Sequence, residues 1–149
     1  MKHDRTKSLR LVLNLAEKAE SDAATQLQQQ RLQLQSQSDQ LTQIANYNQE
    51  YSTQINQLGS INVEQMIGQR NFMSQLSQMI QTQSETVDIL RQQTERAQQQ
   101  WMVQYQRKQK LGELIEKLER EESQLEQQRL QKELDEISRT MIGGGSALH

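Results

Sequence analysis

The chain has no cysteine and no proline, and aromatic residues make up only 3% of its 149 positions. Without cysteine there is neither a disulfide framework nor a thiol nucleophile, and a reducing compartment is consistent with that. Without proline, one usual mark of a disordered tail is missing. Apolar residues reach 33%, below the ~45–50% of ordinary globular domains, so too little side chain is present to fill one compact core. A net charge of −2 gives no support for general nucleic-acid binding, which needs a broad basic surface. No apolar run approaches the ~18 residues of a membrane span, so no direct membrane insertion is expected. The opening "MKHDRTKSLRLVLNLAEKAE" starts basic, but Asn14 and then Glu17 interrupt its apolar part, which argues against a signal peptide.

Reactive constellations are equally scarce. The two histidines, His3 and His149, lie near opposite ends, and no Cys/His cluster has metal spacing. There is no GxxxxGK[ST] or GxGxxG loop. Carboxylates are plentiful at Glu113, Glu116, Glu119, Glu121 and Glu122. A two-helix rod, however, offers no cleft to dehydrate them and shift their pKa values, so they read as a solvated helix face. No catalysis and no cofactor are expected.

What remains is strongly helical. Gln supplies 30 of 149 residues and Leu, Glu, Arg and Lys are abundant, all good helix formers. Gln-rich tracts also occur in disordered chains, but here the leucines are regularly spaced. One heptad register runs unbroken from Leu9 to Leu58. Its a positions are Leu13, Glu20, Leu27, Leu34, Leu41, Asn48 and Ile55, and its d positions include Leu9, Ala16, Ala23, Gln30, Gln37, Ile44 and Tyr51. A second run follows from Met66 through Met73, Leu76, Ile80, Gln83, Val87, Leu90, Thr94, Ala97, Trp101, Gln104, Lys108, Leu111, Ile115, Leu118 and Glu122 to Leu125. Both runs have the 3–4 spacing of a left-handed coiled coil. Polar residues within the seams make the packing weaker than in a Leu zipper. Past Leu125 the phase slips by one residue to Leu130, Leu134, Ile137 and Met141.

The expected fold is all-α: two long helices in an antiparallel coiled-coil hairpin, the second longer and overhanging. Gly59 is expected to end the first helix in a left-handed conformation, and Asn62 with Gln65 has the spacing of a capping box. Residues 1–142 form one hairpin, with helices over about 6–58 and 62–141 and a turn over about 59–62. Gly143–Gly145 should stop the second helix, leaving 143–149 as a flexible tail. At 1.5 Å per residue the helices would span roughly 80 and 120 Å. Residue i then faces about 120 − i, and everything from Leu111 onward lacks a partner from the first helix. Its apolar stripe invites another protein to cover it.

The same pairing brings Tyr47 and Tyr51 to the level of Phe72 and Gly68. Phe72, Leu76, Met79 and Gln83 form a second stripe beside the first, which a two-stranded coil cannot bury. Two readings stay open: these side chains lap over the seam edge, or they anchor a partner. At the other end, Arg5, Lys7 and Arg10 meet the level of Arg107, Lys108 and Lys110. That is either a set of solvated faces or a basic collar for an acidic surface.

The chain resembles the flagellar export protein FliJ family, and more distantly the stalk proteins of injectisome type III secretion. The likeness covers about residues 8–140. It rests on "LAEKAESDAA" at Leu15–Ala24, "YNQEY" at Tyr47–Tyr51, "NFMSQL" at Asn71–Leu76 and "WMVQYQRKQKL" at Trp101–Leu111, in that order and spacing. The resemblance implies a non-enzymatic, stalk-like hairpin, a monomeric rod whose paired termini insert into the hexameric flagellar export ATPase. It also implies contact with the membrane-embedded export gate protein, exchange with export chaperones, and a place in the cytoplasm at the inner face of the inner membrane.

Carried over residue by residue, gate docking falls on Phe72, Leu76, Met79 and Gln83, with Gln40, Ile44, Tyr47 and Tyr51 on the facing helix. Met79 and Gln83 depart from the family pattern, which favours a smaller residue and a histidine. ATPase docking falls on the terminal end. There it comprises Arg5, Lys7, Leu9, Arg10 and Leu13 of the first helix, and Arg107, Lys108, Lys110, Leu111, Leu114, Ile115, Leu118 and Leu125 of the second. A holdase-type chaperone or adaptor, or a generic structural coiled coil, are the alternative functions.

Overall fold

The computed structural model describes residues 2–147, with side chains from Asp4 to Gly143. It contains two helices, α1 (Lys2–Gln57) and α2 (Val63–Ala147), of 56 and 85 residues. Their seams are those of the heptads. Every a and d position from Leu9 to Ile55 is at least partly withdrawn from solvent, and so is every position of the second run from Met73 to Glu122. Among the described residues, Ala16, Leu27, Leu76, Val87, Ala97 and Ile115 are the buried apolar ones. Apolar side chains repeating every 3.5 residues leave one stripe that only another helix can cover, and this is what pairs the two.

The chain divides into two compact units. In the unit spanning Ser21–Val103, Tyr51 lies against Phe72, Gln37 against Gln83 and Gln30 against Thr94. In the unit made of the first twenty residues with the chain from Gln104 onward, Glu20 lies against Lys108, Arg10 against Glu119 and Thr6 against Glu122. Falling numbers on α1 meet rising numbers on α2 in each, so both pairings are antiparallel.

The reversal is built without a left-handed residue. No described residue, glycine included, has positive φ, which corrects the expectation for Gly59. Instead α1 tightens at its end, where the Leu58 amide donates to both Gln54 O (3.2 Å) and Ile55 O (3.1 Å). This i→i+3 tightening satisfies orphan carbonyls without a left-handed cap. Asn62 then opens α2. Its Oδ1 accepts from the Gln65 amide at 2.7 Å, and the Gln65 side chain accepts from the Asn62 amide at 3.3 Å. The two orphan donors are thereby satisfied reciprocally.

At the other end, α2 does not stop at Gly143 but continues to Ala147, so the expected tail from 143 is helical as far as the described chain extends. Glycine costs ~1 kcal/mol per position in a helix, and three are carried at the end of an otherwise well-formed helix. His149 lies outside the described residues.

Polar layers dilute the seam. The Gln83 amide donates to Gln37 Oε1 at 2.7 Å and to Gln37 O at 2.9 Å. The Thr94 hydroxyl donates to Leu90 O at 2.8 Å, with the Gln30 carbonyl at 3.4 Å. Gln30 Oε1 and Gln104 Oε1 are buried with no hydrogen-bond partner among the described residues. Each such group costs ~1–3 kcal/mol of uncompensated desolvation, which holds the pairing below what an all-apolar seam would give.

Candidate functional site

In the Ser21–Val103 unit, one turn of α1 carries both Tyr47 and Tyr51, and Phe72 from α2 packs between them. The Tyr51 and Phe72 ring centroids are 4.7 Å apart at 64°, and those of Tyr47 and Phe72 are 6.4 Å apart at 80°. Both are edge-to-face arrangements, the favourable alignment of aromatic quadrupoles. The sparse aromatics therefore staple the two helices close to their reversal.

The eight residues of the carried-over gate surface separate into different roles. Leu76 is only 5% exposed and belongs to the seam. Phe72, Tyr51, Ile44 and Gln83 are half-buried, and Gln83 is tied to Gln37. Gln40 is exposed, while Tyr47 and Met79 are 51% and 53% exposed. Thus Tyr47, Met79 and Gln40 face outward, and Leu76 can act only by positioning its neighbours.

Beside Tyr47, an open groove of about 550 Å³ is lined by Ile44, Gln75, Gln78, Met79, Thr82 and Gln83. Sequence reasoning missed Gln75, Gln78 and Thr82. Their signal was spacing alone: Gln75 and Thr82 lie at i−4 and i+3 from Met79, and Gln78 lies at i+3 from Gln75 and i−4 from Thr82. Amide and hydroxyl side chains do not announce themselves as anchors.

At the terminal unit the expected basic collar is not a single cationic level. Lys108 pairs with Glu20 at 3.5 Å and sits 5.4 Å from the Tyr105 ring, while Arg10 bonds Glu119 and Thr6 donates to Glu122 at 3.0 Å. Arg10 thus meets Glu119 rather than the neighbourhood of Lys110. Thr6, a short side chain, meets Glu122 at a similar offset, so in this unit it is the pairing itself that is shifted along α2 from the expected level. Arg5, Lys7, Arg107 and Lys110 remain exposed. A groove of about 270 Å³ here is lined by Thr6, Lys7, Arg10, Glu119 and Glu122, of mixed sign.

The start of the overhang moves as well. Leu9, Leu13, Leu111 and Leu118 are half-buried and Ile115 is 5% exposed, so these are seam residues, not an unpartnered stripe from Leu111. Leu114 and Leu125 are exposed. From Ser123 to Ile142 every residue is exposed, including Leu130, Leu134, Ile137 and Met141.

Among the described residues no cluster of His, Asp or Glu is arranged to hold a metal ion, and no helix is long and apolar enough to cross a membrane. The fold defines a class: an antiparallel two-helix coiled-coil hairpin. The sequence pattern that defines the family described as Flagellar FliJ protein matches residues 6–145, and the chain belongs to that family. It is accordingly a component of the flagellar protein export apparatus, and the family is a structural export component. Comparison with curated proteins and with solved structures finds no match.

Proposed function

We propose that the hairpin is a non-enzymatic, stalk-like part of the export machinery. Its terminal unit inserts into the hexameric export ATPase and promotes assembly and ATP hydrolysis there. Its aromatic unit docks on the export gate protein, at the inner face of the membrane, and export chaperones exchange on the same hairpin. The observation that carries this reading is the stretch Ser123–Met141. It is helical and wholly exposed, and it bears Leu130, Leu134, Ile137 and Met141 at 3–4 spacing. A helix of this kind with no covering face among the described residues is built to be covered by a partner. Asymmetry suits a ring: one asymmetric hairpin touches ring subunits unequally and biases their states.

The test is ATPase stimulation by the purified full chain, compared with a Leu130→Asp, Leu134→Asp variant. Leu118 is unsuited to this test, because its half-buried place in the seam would confuse docking with folding. The variant should keep its helicity and lose stimulation. Undiminished stimulation overturns the assignment of this stretch. Retention of secretion substrates by the chain, with no effect on the ATPase, favours the holdase-type reading instead.

A further inference from the structure

Charge is distributed very unevenly along this chain. Between Leu32 and Ser84 only Asp39, Glu50, Glu64 and Arg70 carry a charge at neutral pH, four of 53 residues, against 24% for the whole sequence. At that average about 13 would be expected there. The stretches 40–49 on α1 and 71–84 on α2 have none at all. The hairpin brings these two together, because Tyr47 and Phe72 are in contact. The groove beside Met79 lies within this belt and is lined without a single charge.

A solvated helix pair ordinarily carries Lys and Glu on its outer faces for solubility and i,i+4 pairing. The chain does so from Arg107 onward. Glutamine, serine and threonine keep the belt wet, but they lose far less than ions when water is removed. A charged partner segment laid here would find no counter-ion in the groove and would be desolvated without compensation. The amides of Gln75 and Gln78 supply both donors and acceptors, so they match a peptide backbone in either direction. Ile44 and the thioether of Met79 supply an apolar seat that adapts to shape.

We infer that this groove takes an uncharged peptide segment of the gate partner. One apolar side chain is seated against Ile44 and Met79, and the segment is held by amide hydrogen bonds with no ionic contact. This rests on the gate-docking reading above and adds the chemistry of what docks.

The experiment is titration of the full chain with the detergent-solubilised export gate protein of the same bacterium, at low and at high salt. It is repeated with Gln78→Glu and Gln78→Lys, both of which preserve helix propensity. Affinity should change less than about twofold between 50 and 500 mM salt, because no charge pair is present to be screened. Both variants should bind roughly tenfold more weakly, since either sign buries an unpaired charge. Opposite effects of the two variants, or a salt-dependent loss beyond about tenfold, overturn the inference while leaving gate docking intact. No binding by the unmodified chain at either salt overturns gate docking itself, and the inference with it.

Discussion

Replacing Phe72 by Ala separates packing from docking in the aromatic unit. A Phe→Ala change in a full core costs ~3–5 kcal/mol. Phe72 is half-buried and has only one facing helix, so about 2 kcal/mol is expected. Part of this is ring-on-ring. The Tyr51 contact at 4.7 Å should contribute about 1 kcal/mol beyond area. The Tyr47 contact, longer at 6.4 Å and half open to water, should contribute about 0.5 kcal/mol. The assay is urea unfolding followed by far-ultraviolet circular dichroism, with a double-mutant cycle built from Phe72→Leu and Tyr51→Leu. Amide hydrogen exchange around Leu76 provides a local readout. The cycle should return a coupling near 1 kcal/mol for Tyr51, and a parallel cycle with Tyr47→Leu roughly half that. Additive single changes, or full stability of Phe72→Ala, would show that the ring does not hold the helices together. Its role would then be docking alone.

Leu76→Ala should cost about 2 kcal/mol because Leu76 is buried, whereas Met79→Ala should leave stability within about 0.5 kcal/mol and weaken gate binding. Chemical unfolding beside a binding titration distinguishes the two. Gly59→Ala should be neutral or stabilising by up to about 1 kcal/mol, since φ there is not positive and no atom lies within 4 Å of an added Cβ. A fall in melting temperature would contradict this turn geometry. Asn62→Ala removes the cap bonded to Gln65 and should destabilise by about 1 kcal/mol, read out as faster exchange of the first α2 amides. Arg10→Gln should cost under about 1 kcal/mol, because the Arg10–Glu119 pair is substantially exposed. A larger loss in thermal melts would mean that the ion pair carries the terminal unit.

Much of the architecture was written in one dimension. Helicity follows from composition. The seam from Leu9 to Ile55 and from Met73 to Glu122 follows from a repeat that each helix has by itself, and the Asn62–Gln65 cap follows from a spacing of three. All of these are local. Which side chains meet across the seam is not local. It depends on how the turn closes and on the register in which the two helices pack. Only the folded pair therefore put Arg10 beside Glu119, let α1 cover Leu111 and Ile115, and left α2 wholly exposed only from Ser123 onward. The same holds beside the aromatics. Leu76 and Met79 sit one turn apart on one helix, and α1 covers the first while leaving the second open to water. A periodic sequence fixes a helix's sticky face, but the facing helix decides how far around that face its cover reaches.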